Sequence, residues 1–292
     1  MKPTNLSGRN SRIRFAVFVL GYALLILSCF IGLQREDGLS MGRKPWENLA
    51  KTVTEFARPS FLDVWQGKTR LEYRSDDGTI LRTENRQLVE VEFLKGLARA
   101  TWTTFEIGTL GSLFGAILAL PLGVVAARNM AAPAPLAWLA KLILDAARSV
   151  HSLVFGLILV GIVGLGPTAG ILAIGLHSLG TYGKLYAESI ETLDMASIMA
   201  VRAVGAGPLQ TFFNAVWPAV LPQWLSSHLY IWEYNVRDST VLGLIGAGGL
   251  GLLISEAVSL FQWGRLASIL LVVIAMVFVF DAISRKVRQG IL

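Results

Sequence analysis

The sequence predicts an all-α, polytopic membrane helix bundle of about six transmembrane helices, and three observations lead there. Of 292 residues, 53% are hydrophobic and only 16% charged, with a mean hydropathy of +0.57. The apolar residues come in blocks approaching the ~20 residues needed to cross a ~30 Å hydrocarbon core, rather than at amphipathic spacing. Lysine and arginine stand at the edges of these blocks. The net charge of +6 and the pI near 9.6 therefore orient a chain in a lipid bilayer, and no nucleic-acid partner is expected. Cys29 is the one cysteine, which excludes a disulfide framework and a thiolate metal site.

The elements follow in order. Residues 1–14 form a basic cytoplasmic tail carrying Lys2, Arg9, Arg12 and Arg14, and residues 15–33 form a first span without a charge. A basic region ahead of an apolar run also fits a cleaved signal, but Leu27 is bulky and the apolar run continues past Cys29, so an uncleaved anchor is expected. Residues 34–97 are the one large polar region and face outward. Within it Trp46, Leu49, Val53 and Phe56 recur at helical spacing, which predicts a helix on the membrane surface ended by Arg58-Pro59. Leu71-Glu72-Tyr73 and Ile80-Leu81 flank Asp77-Gly78, a good two-residue hairpin turn. This region is either a platform for a periplasmic protein or a solvated decoration.

A core of membrane helices is expected over 98–286, with a cytoplasmic tail at 287–292. Its spans are read at 101–127, at 136–163 with a break near Arg148 and His151, and at 169–190, 221–245 and 266–280. Arg128 and Lys141, and later Arg285, Lys286 and Arg288, mark the cytoplasmic side, whereas the connection at 164–168 is uncharged and faces out. Both termini and the polar segment around Gly205 then lie in the cytoplasm.

Chemical motifs are few. There is no Gly-x-x-x-x-Gly-Lys-Ser/Thr loop, so ATP hydrolysis by this chain is not expected. His151, His177 and His228 are scattered along the sequence, and neither a metal site nor a catalytic group is expected. Any energy must come from a partner. Gly246-Ala247-Gly248-Gly249-Leu250-Gly251 spells a dinucleotide fingerprint, but no βαβ pattern surrounds it. Gly246, Gly248, Gly249 and Gly251 are read instead as a close-packed turn at the outer end of the fifth span, either a gate or hinge or a merely structural bend.

Met199 to Pro222 is a glycine-broken segment between two apolar spans, and near 195–210 it should form a short helix ending at Gly205, with Pro208 preventing its continuation. The spacing resembles the cytoplasmic coupling motif of ABC-importer permeases, Glu-Ala-Ala, three residues, Gly, nine residues, Ile, one residue, Leu-Pro. Ala200, Gly205 and Pro218 fall in place. Met199 stands at the acid, Val201 at the second alanine, and Ala215 and Trp217 at the isoleucine and leucine. The resemblance implies a type I ABC-importer permease fold and assigns Met199, Ala200, Ala203, Gly205, Ala206, Gly207, Pro208 and Pro218 to coupling with an ATPase.

Three further runs resemble the phosphonate-type permease family: Asn235 to Gly251, Gly183 to Glu191, and Ala119 to Asn129. The likeness covers about two thirds of the chain, from Phe93 onward. It implies import of phosphonate, phosphite or hypophosphite across a bacterial inner membrane by alternating access. It further implies two ATP-binding subunits, a second copy of the chain and a periplasmic substrate-binding protein, with ATP and Mg held by the partner ATPase and no cofactor in this chain. Asp238 departs from the small residue expected at its place, and the family pattern does not explain residues 34–97. A permease of the same architecture for another small solute, such as an amino acid, and an integral membrane enzyme or assembly factor are the alternatives.

Charged residues inside the spans give the candidate translocation path: Arg148, His151, Glu233, Asn235 and Arg237. Glu233 and Arg237 are four apart, so their opposite charges share one helix face. At membrane depth such groups face a bundle interior or a watery cavity. Arg237 partly neutralised by Glu233 would serve as an anion waypoint, or Glu233, Arg237 and Asp238 would form a structural ion cluster. Arg148 and His151 carry the same two readings.

Overall fold

The computed structural model describes residues 7–35, 44–64, 70–74, 80–130 and 132–291. The chain divides into two compact units, Met1–Val53 and Thr54–Leu292. The first holds α1 (Ser7–Arg35) and most of α2 (Pro45–Phe56). Within α1 the stretch Arg14–Gly32 is long and apolar enough to cross a membrane, and Phe15, Phe18, Leu20 and Leu24 all lie open on its surface. Open apolar side chains all round a helix are those of a helix with lipid for solvent.

The second unit begins with a 3-10 turn (Ser60–Val64) and the antiparallel strands β1 (Arg70–Arg74) and β2 (Ile80–Asn85), with Leu71 opposite Glu84 and Tyr73 opposite Arg82. The expected hairpin strands are therefore present, and the turn at Asp77-Gly78 lies outside the described residues. Helices α3 (Arg86–Ala126), α4 (Ala134–Ser149), α5 (Ser152–Val163), α6 (Pro167–Glu191), α7 (Met195–Ala203), α8 (Pro208–Thr211), α9 (Trp217–Leu242), α10 (Gly249–Ser259) and α11 (Trp263–Ile291) follow. Asn85 caps α3, its side chain accepting from Gln87 N at 3.0 Å. At 41 residues α3 is about 60 Å long, twice a hydrocarbon core.

Helix α6 is the centre of this unit, with α3, α4, α5 and α9 around it. Its seat against α3 is made by glycines. A Cβ at Gly111 would come 2.7 Å from Ile174 Cβ, one at Gly115 2.8 Å from the Gly175 carbonyl oxygen, and one at Gly123 2.9 Å from the Gly183 carbonyl oxygen. Without those side chains the two backbones close together, the arrangement that gives lipid-embedded helices their packing energy. Tyr182, Ile174 and Ile190 are fully buried on α6.

Among the described residues, three helices are by themselves long and apolar enough to cross a membrane, and counting each of two bent helix pairs as one span makes five. Helix α6 has 25 residues, but its surroundings are protein, so its own composition carries Gly, Ser, His and Lys. The break read in the third span near Arg148 and His151 is present, between Ser149 and Ser152, and it is a sharp corner: α4 and α5 meet at 90°. The stretch after the fifth span, left unassigned from the sequence, is a helix of its own, α10, bent by 58° from what precedes it. The second and sixth expected spans lie within the longer α3 and α11, and the fifth within α9 and the turn after it.

Candidate functional site

The sequence-predicted residues fall into three places. At one end of the bundle, Arg128 N donates to the Glu191 carboxylate at 2.8 Å and Asn129 Nδ2 to Ile190 O at 2.6 Å, which brings the α3–α4 connection to the end of α6. The segment leading to α9 starts from there. Asp194 caps α7, accepting from Ala196 N at 3.0 Å, and buried Ile198 fastens the helix to the core. The helix ends at Ala203. Gly205 then takes φ +85° with nothing near where its Cβ would be, so the residue is there for its backbone conformation, not for space.

Pro208 has a role other than the one its position suggested. It occupies the first turn of α8 and starts that helix instead of merely stopping the one before. A five-residue π-turn, Phe212–Val216, then feeds α9, with Pro218 in its first turn. Met199, Ala200, Ala203, Gly205, Gly207, Pro208 and Pro218 are exposed, and Ala206 half-buried. The structure adds three apolar residues to this knob that the sequence reading missed: Val204, Leu209 and Phe213 are 85%, 71% and 57% exposed. Apolar residues in an otherwise polar loop were the available signal.

The second place is a polar belt halfway along the bundle. Ser178 on α6 and Asn235 on α9, both buried, bond reciprocally. The Ser178 hydroxyl donates to Asn235 Oδ1 at 3.1 Å and accepts from Nδ2 at 2.9 Å. Buried Asp238 accepts from the Ser152 hydroxyl at the start of α5. His151 caps α5, its Nδ1 accepting from Leu153 N at 3.2 Å, so the proton of the neutral ring sits on Nε2. His177 donates from Nδ1 to Val150 O at 2.8 Å. The rings of His151 and His177 lie 5.8 Å apart, so two of the three histidines scattered in sequence share one corner. His228 is elsewhere, stacked on Tyr182. Among the described residues no three His, Cys, Asp or Glu are grouped as for a metal.

Asn235 and Asp238 face the bundle, but Arg237 does not. Its guanidinium pairs with the Glu233 carboxylate, as the spacing predicted. The Glu233 side chain is 8% exposed and that of Arg237 49%. One exposed face of α9 carries Gln223, Tyr230, Tyr234, Arg237 and Val241, with Ser227 partly covered, while Pro222 and Leu225 are exposed on another side. The positions of the first face fall within an arc of about 80° at 3.6 residues per turn. A stripe of Gln, Ser, Tyr and Arg on a membrane helix is unsuited to lipid. Arg148 stays apart, pairing with Asp145 at 2.8 Å on α4. It borders a cavity of about 270 Å³ that also takes in Arg128, Lys141, Lys184 and Glu188.

The third place is the glycine run at the opposite end, where Gly166 N donates to Gly246 O at 3.0 Å. Gly246, Gly248 and Gly249 have φ of +97°, +90° and +69°, closing a π-turn (Gly243–Ala247) before α10. Gly251 is inside α10, not in the turn. It is needed for space, since a Cβ there would strike the Thr240 carbonyl and lie 2.6 Å from Gly243 Cα. Thr104 of α3 completes this corner by accepting from the buried Leu250 N at 2.8 Å.

With this geometry in hand, comparison with known proteins is informative. A phosphite transport system permease protein (PtxC) from Stutzerimonas stutzeri is 44% identical over 187 residues, 64% of this chain and 68% of the relative. A protein named as a putative phosphite transport system permease (HtxC), from the same organism, is 39% identical over 192 residues, 65% and 67% of the two chains. A structure of inward-facing conformations of the MetNI methionine ABC transporter has a chain that superposes with a TM-score of 0.62 at 20% identity, covering 69% of this chain and 98% of that one. That likeness establishes the fold of an ABC-importer permease. Residues 119–292 match the family described as "Binding-protein-dependent transport system inner membrane component", and the chain belongs to that family of transport permeases.

Proposed function

We propose that this chain is the membrane-spanning subunit of an importer for phosphite or a related phosphorus oxyanion, phosphonate or hypophosphite. The observation that carries the reading is the polar stripe of α9 bearing Arg237, on a chain 44% identical to a phosphite transport permease. A half-exposed guanidinium on an otherwise tyrosine- and serine-lined face offers planar, bidentate hydrogen bonds to a tetrahedral oxyanion. Its pairing with Glu233 lowers the net charge, so the anion is attracted without being trapped, as conduction requires.

The stripe is half of a path. A second copy of the chain presenting the same face would enclose a polar route and remove both stripes from lipid. Residues 195–213 project an apolar knob, with Val204, Leu209 and Phe213 exposed, that suits a groove on an ATP-binding subunit, two of which would supply the energy with ATP and Mg. A substrate-binding protein would deliver solute at the opposite end, where the glycine turns of 164–166 and 243–249 meet. That assignment puts both termini and the knob in the cytoplasm, and alternating access moves the solute between the two ends.

The test is uptake by the full assembly in vesicles, with phosphite, hypophosphite, methylphosphonate and methionine offered in turn, alongside binding of each to the cognate binding protein. Uptake of a phosphorus oxyanion with methionine excluded supports the reading. Uptake of methionine, or of none of them by an assembly that hydrolyses ATP in response to its binding protein, overturns it.

A further inference from the structure

A groove at the end of the bundle that carries α7 gathers charges that the stripe of α9 does not use. On α4, Lys141, Asp145 and Arg148 follow one another at spacings of four and three, and on α6, Lys184, Glu188 and Glu191 repeat those spacings. Each helix therefore carries its charges on one face. Glycines let α4 lie close on α6: a Cβ at Gly180 would strike Arg148 N, and one at Gly183 the Leu144 side chain. The two charged faces border the cavity of about 270 Å³, together with Arg128 at the end of α3. Four cations face three carboxylates there, an excess of one positive charge.

The carboxylates do not use up the cations. Glu191 accepts the Arg128 backbone N–H at 2.8 Å, whereas Arg128 Nε and Lys141 Nζ stand 3.9 and 3.8 Å from it. Lys184 Nζ is 3.6 Å from Glu188. At these separations opposite charges attract but no hydrogen bond forms, so both ammonium groups keep donors for a third group. Arg148 engages Asp145 through Nε, one of the five N–H donors of a guanidinium.

The cavity adjoins the polar stripe. Glu188 also borders a second cavity, which reaches Gln223 and Ser227 of the α9 stripe. On α6 the partly open His177 and Thr181 lead to the exposed Lys184 and Glu188 in steps of four, three and four. Because α9 runs from the α7 end toward the glycine turns, a solute leaving Arg237 for the α7 end passes this cluster.

We propose that the cavity between α4 and α6 is a second station for the anion, a site that binds a free phosphorus oxyanion through Lys141 and Lys184, with Arg128 and Arg148 adding charge. It rests on the solute reading above. An ammonium is a compact charge with three rotatable donors, which suits a small tetrahedral anion, and an excess of one charge holds that anion loosely enough to release it.

The test is binding of radiolabelled phosphite to the full assembly in phosphatidylcholine nanodiscs, without the binding protein and with ADP filling the nucleotide sites. Lys141→Gln combined with Lys184→Gln should weaken binding by about tenfold, the scale of a lost charge-assisted hydrogen bond, and Lys141→Arg with Lys184→Arg should retain it. Both lysines are partly exposed, so the variants should fold, and an equal thermal midpoint checks this. A local readout is added by Glu188→Cys in a Cys29→Ser background, where phosphite should slow reaction with an anionic methanethiosulfonate several-fold and chloride at equal ionic strength should not. Binding by the double glutamine variant equal to that of the unaltered protein overturns the site, as does equal protection by chloride. Protection that requires phosphatidylglycerol and no phosphite gives the cavity to a lipid headgroup and overturns it too. Uptake is read separately: an assembly that imports methionine alone sinks the solute reading, whereas one that imports phosphite while the glutamine variant binds it normally sinks only this site.

Discussion

At the scale of single residues, Gly205 carries the sharpest expectation. Its φ of +85° costs an L-residue about 1–2 kcal/mol, and a β-branched side chain suffers most. Gly205→Val should therefore tilt the knob toward other conformers by about tenfold, since 1.4 kcal/mol is a factor of ten. Nothing lies within 4 Å of a Cβ there, so insertion and abundance should be normal. Uptake and transport-linked ATP hydrolysis should fall together, and an unchanged rate in both would remove coupling from this segment. Arg237 gives the second. As an anion waypoint, Arg237→Gln should slow uptake more than Glu233→Gln, with protein abundance measured alongside because removing Arg237 leaves the buried Glu233 carboxylate without its partner. The exchange of Glu233→Arg with Arg237→Glu discriminates further. It preserves the pair but moves the positive group about one turn, from an exposed position to a buried one. Full uptake by the exchanged protein would make the pair structural.

Among elements, α10 shows why parts of the fold could not be read from the sequence. Its eleven residues are too few for a span, and its place depends on Thr104, 146 positions away. Removing that acceptor leaves the buried Leu250 N–H without a partner, at about 1–3 kcal/mol. Thr104→Val should therefore lower the thermal midpoint in detergent and speed amide exchange in the first turn of α10, while Thr104→Ser should restore both. Equal behaviour of the two variants would show that the hydroxyl does not hold α10. By contrast α7 was legible, because a helix stopped by glycine in the left-handed region is a local event written in neighbouring residues. The amphipathic α2 was legible for the same reason. The Glu233–Arg237 pair was legible from i,i+4 spacing, whereas Ser152–Asp238 and His151–His177 join different helices and left no periodic trace. The 90° corner between α4 and α5 was visible only as polar residues interrupting an apolar run. Its direction comes from Ser152 and His177, which hold it to α9 and α6.

For the whole molecule, the two ends of the bundle must lie on opposite sides of a membrane, and charge says which is which. Arg128, Lys141, Arg202, Arg285, Lys286 and Arg288 flank the end that carries α7 or close the last helix, whereas the 164–168 connection at the other end has no charge. With positive residues retained inside, the α7 end is expected in the cytoplasm and β1 and β2 outside, since α3 begins at the end opposite to the one where it meets Glu191. Labelling in intact cells decides this. In a Cys29→Ser background, a cysteine at Asp76 should react with a membrane-impermeant maleimide without permeabilisation. One at Pro208, exposed on the knob, should react only after the membrane is opened. Neutralising Arg9, Arg12 and Arg14 together should blur the contrast, because the first span then has less to hold its basic end inside. The opposite labelling pattern would invert the protein, set the apolar knob of Val204, Leu209 and Phe213 away from any ATP-binding subunit, and leave the coupling assignment without a site.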